Sequence, residues 1–119
     1  MAKILIVDDD VHVTTLLKRF LSSEGYEVTA INQSSKAIQT ANSIQPDLII
    51  LDLMMPQPDG FKVCRMLRED PNYTKTPILI ITALDDSNSR ANVFGANDYL
   101  TKPFNLDELV ARISALLDA

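Results

Sequence analysis

The chain has a single cysteine among its 119 residues, which excludes any internal disulfide. Cys64 lies close to Val63 and Leu67 and reads as a small buried apolar side chain in a reducing setting. There are only three glycines, and no G-x-G-x-x-G follows an apolar run, so a dinucleotide-binding turn is excluded. The apolar stretch nearest the N-terminus, ILIV, runs straight into three aspartates and is too short for a signal peptide or a membrane span. Basic residues are outnumbered 11 to 16, giving a net charge of −5, so the domain as a whole repels a nucleic-acid backbone and no direct nucleic-acid binding is expected of it. The one histidine, His12, is expected to face solvent and is assigned no role. Neither an internal repeat nor a linker is visible. These absences lead to the expectation of one soluble cytoplasmic domain over 1–119, without membrane contact.

What is present is ordinary globular composition, 46% hydrophobic and 23% charged, in a chain long enough to bury roughly two thirds of its unfolded surface. Apolar runs of four to six residues alternate with segments of helical spacing. KILIV at 3–7, LIIL at 48–51 and ILII at 78–81 are unbroken, as expected of central strands covered on both faces. EVTAI at 27–31 and DYLT at 98–101 are more mixed and suit sheet edges. A first helix is expected after Asp10, with Val13, Leu16, Leu17, Phe20 and Leu21 as its apolar stripe. A second, capped by Ser34 or Ser35, turns Ala37, Ile38, Ala41 and Ile44 inward and stops at Pro46. A third starts near Asp59 with Phe61, Cys64 and Leu67 inside, after a turn over 56–59. A short fourth of low intrinsic stability is expected over 87–94, and the last runs from Asn105 on Leu106, Leu109, Val110, Ile113, Leu116 and Leu117. Five strands alternating with five helices predict an α/β fold, a right-handed doubly wound parallel sheet in three layers, whose ligand site lies beyond the carboxyl ends of the strands.

The residues at those ends are chemically pointed. Asp8, Asp9 and Asp10 follow the first strand, Asp52 lies within the end of the third, Thr82 follows the fourth and Lys102 follows the fifth. The aspartate triplet has a plain alternative role in capping the first helix. Thr82 alone would be an ordinary β-branched strand end, and Lys102 a surface charge, although Pro103 after it marks a tight or cis turn that can aim a side chain inward. Asp52 is harder to explain structurally, because a carboxylate beside buried strand residues is costly unless paired or coordinated. Two carboxylates about 5 Å apart repel by roughly 3 kcal/mol at an effective dielectric near 20. A hard divalent cation such as Mg²⁺ offsets that repulsion, while Lys102 and Thr82 supply a second positive charge and a hydroxyl donor for a phosphoryl group.

The chain resembles, over essentially its whole length, the receiver domain of two-component response regulators. The resemblance is carried by VDDD at 7–10, DLMMP at 52–56 with Asp59 and Gly60, ITA at 81–83 and GANDYLTKPF at 95–104. It implies a flavodoxin-like sheet of order 2-1-3-4-5 with five helices. It also implies that Asp52 is the phosphoacceptor, that Asp9, Asp52 and the Met54 carbonyl hold Mg²⁺ directly and that Asp8 acts through water. Lys102 and Thr82 would contact the phosphoryl group, and Tyr99 would change rotamer with Thr82. The implied partners are a sensor histidine kinase or histidine phosphotransfer protein on one side and an output domain or target protein on the other, with room for a homodimer on phosphorylation. Met54 and Leu84 sit where an attacking water would approach, and both are apolar. The segment between Thr82 and Lys102 is a little shorter than the family usually has, which bears on the output face rather than the site.

Two other classes compete. A haloacid-dehalogenase-like phosphatase also uses a strand-end aspartate with Mg²⁺, but needs a second aspartate two residues on, where this chain has Met54. A receiver fold kept only as a binding module would be marked by loss of the acidic pair, Asp52 or Lys102, all of which are present. Beyond catalysing its own phosphorylation and dephosphorylation, no enzymatic activity is expected.

Overall fold

A computed structural model describes residues 2–83 and 95–118. The short apolar runs become the strands β1 (Lys3–Val7), β2 (Glu27–Ile31), β3 (Leu48–Asp52), β4 (Ile78–Thr82) and β5 (Asp98–Thr101), all parallel, in the order β2-β1-β3-β4-β5. Every residue of β3 and β4 is buried, whereas β2 and β5 are only half-covered at the edges, as the mixed composition of those two segments predicts.

Strand alternation divides the interior in two. Leu5, Val7, Ile49, Leu51, Ile78 and Ile80 face one layer, Ile4, Ile6, Leu48, Ile50, Leu79 and Ile81 the other. The first layer is covered by α2 (Ala37–Ile44) and α3 (Gly60–Glu69), and the second by α1 (Val11–Ser23) and α4 (Leu106–Asp118). Each fully buried Leu or Ile side chain contributes about 1.5–3 kcal/mol relative to exposure, so the doubly covered sheet is the main source of cohesion. Four helices lie among the described residues; the helix expected over 87–94 lies outside them.

Two local expectations need correcting. Leu16 is 55% exposed and not part of the buried stripe of α1, which instead runs through Thr14, Leu17 and Leu21. Thr14 can be buried because its hydroxyl donates to the Val11 carbonyl and accepts from the Asn32 amide, leaving no unmet polar atom. Neither Ser34 nor Ser35 caps α2: Ser34–Lys36 forms a 3-10 turn, and the Ser34 hydroxyl donates to the Pro56 carbonyl at 3.2 Å. The inner face of α2 is as expected, with Ala37 and Ala41 buried and Ile38 and Ile44 packed beside them.

The other two helix starts follow the sequence closely. Asp59 caps α3 by accepting from the Lys62 amide, and the Asn105 carboxamide oxygen accepts from Asp107 and Glu108 at the start of α4. Gly60 opens α3 against the end of β3, where an added Cβ would fall 2.1 Å from the Asp52 carbonyl oxygen and 2.5 Å from the Leu53 Cα. Only glycine allows the helix to approach this closely. Cys64 is fully buried and His12 is exposed.

Candidate functional site

Three strands deliver the charged residues to one end of the sheet. Val7 of β1 pairs with Leu51 of β3, and Asp52 pairs with Ile81 of β4, so the residues just beyond these pairs emerge side by side. The two-residue period also sets direction: Asp8 continues the face of Ile4 and Ile6, Asp52 that of Leu48 and Ile50, and Lys102 that of Leu100. All three therefore project toward the layer of α1 and α4. Thr82 continues the opposite face, that of Ile78 and Ile80.

The aspartate triplet, which could have been a simple helix cap, has three separate jobs. Asp10 alone caps α1, its carboxylate accepting from His12 at 2.9 Å and Val13 at 3.3 Å. Asp8 is fully buried, one oxygen accepting from the Asp10 amide at 2.9 Å and the other from the Lys102 ammonium at 3.0 Å. Asp9 is exposed and makes no hydrogen bond through its side chain among the described residues. Asp52 is buried, receives the Met54 amide at 3.3 Å and lies 3.6 Å from the Lys102 ammonium.

This crowding perturbs protonation. Burial pushes the Asp52 carboxyl up to about 6, and the neighbouring Asp8 charge pushes the same way, against the opposing pull of Lys102 and the Met54 amide. Burial by itself would lower Lys102, but its hydrogen bond to Asp8 and the charges of Asp52 and Asp8 outweigh that and hold it above the usual lysine range. Lys102 stays charged at neutral pH and bridges two carboxylates.

One oxygen from each of Asp8, Asp9 and Asp52 lies within 4.8 Å of the others. The set offers only anionic oxygens, with one member open to water, which suits a small hard cation that keeps part of its hydration shell. Asp8, Asp9 and Asp52 thus fit Mg²⁺. The Met54 side chain is 56% exposed at the rim and its amide points at Asp52.

Thr82 and Tyr99 lie on β4 and β5. Thr82 is fully buried at the end of β4, its carbonyl accepting from the Lys102 amide at 2.7 Å. The Lys102–Pro103 bond is cis. Tyr99 is half-buried on β5 opposite Ile80, against the layer that holds Val7 and Leu51. Leu84 lies outside the described residues.

Two contributors were not singled out from sequence as parts of this site. Asn32, just after β2, donates its carboxamide to the Asp8 carbonyl. Gly60 permits the close approach behind Asp52. Away from the site, at the opposite end of the sheet, Arg68 donates to the carbonyls of Gly95, Tyr73 and Thr76 and to the Asn97 side chain, tying the end of α3 to the segments entering β4 and β5. Of these only the glycine carried a sequence signal, as the first residue after a capping aspartate.

A doubly wound parallel sheet with an acidic cluster and a lysine at its carboxyl end defines a phosphate- and cation-handling α/β domain. Residues 4–114 match the family described as response regulator receiver domain, and the chain belongs to that family. It is 44% identical over 119 residues to the DNA-binding dual master transcriptional regulator RpaA of Synechocystis, covering 98% of this chain and 49% of that protein. The BeF3-activated N-terminal receiver domain of Klebsiella pneumoniae RstA superposes with a TM-score of 0.91 at 34% identity, covering 98% of this chain and 99% of that one. Thermotoga maritima TrrA, solved in complex with Mg(2+)-BeF, superposes with a TM-score of 0.88 at 34% identity over 98% and 99% of the two chains. The chain spans about half the length of the curated relatives it matches. No described helix is long and apolar enough to cross a membrane.

Proposed function

We propose that residues 1–119 form one receiver domain that accepts a phosphoryl group on Asp52 from a histidine kinase, a histidine phosphotransfer protein or a small acyl phosphate, and passes the change to an output domain or target protein. The observation that carries this reading is the convergence of the Asp8, Asp9 and Asp52 oxygens within 4.8 Å of one another, with Lys102 bridging Asp8 and Asp52. In transfer, an Asp52 oxygen forms the new bond to phosphorus as the bond to the donor nitrogen or oxygen breaks, and the leaving group carries away that electron pair. Lys102 balances charge on the transferring oxygens and Asp8 holds its ammonium in place. Mg²⁺, when bound by Asp8, Asp9 and Asp52 with the Met54 carbonyl, would add further charge neutralisation at the same oxygens. That relatives are described with BeF3 and with Mg(2+)-BeF supports the same chemistry here.

The acquired group brings roughly −1.5 to −2 charges and strong acceptor oxygens. Thr82 then turns its hydroxyl to the phosphoryl group and Tyr99, half-buried on the neighbouring strand, moves into the space released, biasing the surface around β4 and β5. Phosphatase turnover of the dehalogenase type is not part of this reading: the position such an enzyme needs for its acid is Met54, which cannot give a proton. Its net charge of −5 leaves DNA contact, named for RpaA, to the part of such relatives that this chain does not cover, and the setting is the cytoplasm.

Acetyl phosphate or beryllofluoride should occupy one site only when Mg²⁺ is present, and borohydride reduction with peptide mass analysis should place it at Asp52. Modification that persists in Asp52→Ala would remove the assignment.

A further inference from the structure

We infer that Asn32 is the positioning residue that sets how tightly the acidic cluster holds a divalent cation, an inference that rests on the cation-binding reading of that cluster. Asn32 stands just beyond the end of β2, where the Asp8 amide donates to the Ile31 carbonyl at 3.2 Å. Its side-chain Nδ2 donates to the Asp8 carbonyl oxygen at 2.9 Å and to the Thr14 Oγ1 at 2.9 Å. Both protons of one amide nitrogen are thus spent, one on the turn that carries the aspartates and one on the first turns of α1. The Thr14 hydroxyl donates onward to the Val11 carbonyl at 3.1 Å, so the amide is braced by a saturated partner.

The Asp8 carbonyl belongs to the peptide that joins Asp8 to Asp9; with the next peptide held by the Asp10 amide bonded to Asp8, fixing this one limits the direction in which the Asp9 side chain leaves the backbone. This matters for Asp9 in particular. The Asp8 carboxylate is already held by the Asp10 amide and Lys102, and the Asp52 carboxylate by the Met54 amide. Asp9 is exposed, makes no side-chain hydrogen bond among the described residues, and is repelled by the two buried carboxylates beside it. What keeps its oxygen within 4.8 Å of theirs is the backbone, and the backbone is held from the β2 side by Asn32. Without that bond the peptide can rotate and the repulsion carries Asp9 outward, so a cation must first gather its third carboxylate. Groups that orient metal ligands through a hydrogen bond typically change affinity by about ten- to a hundredfold. Water can partly replace an amide as exposed as Asn32, which puts the expected loss at about three- to tenfold.

The test uses the full chain and Mg²⁺ alone. The chain has no tryptophan, so binding is followed by amide chemical shifts in a Mg²⁺ titration, with the Mg²⁺-dependent rise in unfolding midpoint as a second readout. Asn32→Ala should raise the Mg²⁺ Kd about three- to tenfold while the metal-free midpoint stays near that of the parent. Thr14→Val cuts the brace to α1 but leaves the bond to the Asp8 carbonyl, and should keep the parent Kd to within about twofold. Adding Asn32→Ala to Asp9→Asn should produce no further loss of affinity, because the ligand it aims is already gone. Asn32→Ser, too short to reach the carbonyl, repeats the measurement should the alanine variant fold poorly. A parent Kd in a folded Asn32→Ala or Asn32→Ser, or an equal loss in Thr14→Val, overturns the assignment. A parent protein indifferent to Mg²⁺ overturns the cation-binding reading and this inference with it.

Discussion

Replacing Asp52 by asparagine keeps its shape and removes its charge, and the structure says what that does to stability in the absence of metal. The carboxyl titrates near 6 in the folded chain against 3.8 when unperturbed. At about 1.4 kcal/mol per unit, the full linkage amounts to about 3 kcal/mol. Asp9 and part of Lys102 are open to water, so screening reduces the figure to about 1–2 kcal/mol. The folded chain holds this proton more tightly than the unfolded chain does. The stabilisation is therefore present below about pH 4 and is lost as pH rises through about 6. In EDTA, Asp52→Asn should exceed the parent by about 1–2 kcal/mol near pH 7.5, roughly 3–8 °C in midpoint for a chain of this size, and by only about a third of that near pH 4.5. Urea and thermal unfolding followed by circular dichroism at several pH values give both curves, and subtracting them cancels the other carboxylates and His12. Parallel curves from about pH 4.5 to about pH 7.5 would show that Asp52 is not under the electrostatic load described. Millimolar Mg²⁺ near neutral pH should close most of the gap by stabilising the parent alone.

Three further outcomes are expected. Asp9→Asn should raise the metal-free midpoint by a few degrees, about 1 kcal/mol, and abolish most of the Mg²⁺-dependent rise, which differential scanning calorimetry with and without Mg²⁺ reads directly. Gly60→Ala should destabilise by about 3 kcal/mol or more in urea titrations, since the methyl would overlap the Asp52 carbonyl and Leu53. Met54→Asn with Leu84→Glu should shorten the phosphorylated lifetime several-fold once donor is removed, because polar groups then hold a water for in-line attack that apolar side chains cannot; equal lifetimes in two folded proteins would show that these positions do not set the rate.

The sheet was legible because its signal is local: each central strand is an unbroken apolar run, and each edge strand is visibly mixed. The charged constellation was legible once topology placed the residues after each strand side by side, and the resemblance then attached roles to them. The misreadings have a common physical cause. Leu16 has the hydrophobicity of a core residue and Thr14 does not, but Thr14 finds two hydrogen-bond partners, one of them 18 positions away, and so takes the buried place. Ser34 has cap chemistry, yet a carbonyl 22 positions on claims its hydroxyl. Nothing in the sequence marks Arg68, yet the carbonyls of Tyr73, Thr76 and Gly95 converge on it. Pairings of this kind have no periodicity, and a single sequence does not display them.

The contact between Gly60 and the main chain of Asp52 has a consequence for anyone redesigning this domain. With the Gly60 amide bonded to the Leu53 carbonyl at 3.0 Å and no room for a single methyl, the start of α3 and the end of β3 behave as one rigid part. A graft that moves Asp52 onto another scaffold must bring residues 52–60 as a block, including the turn between them, or the carboxylate will arrive without the backing that aims it. The nine residues from Asp52 to Gly60 are then the smallest transplantable unit of the site, and the helix after them is a mounting bracket before it is a surface.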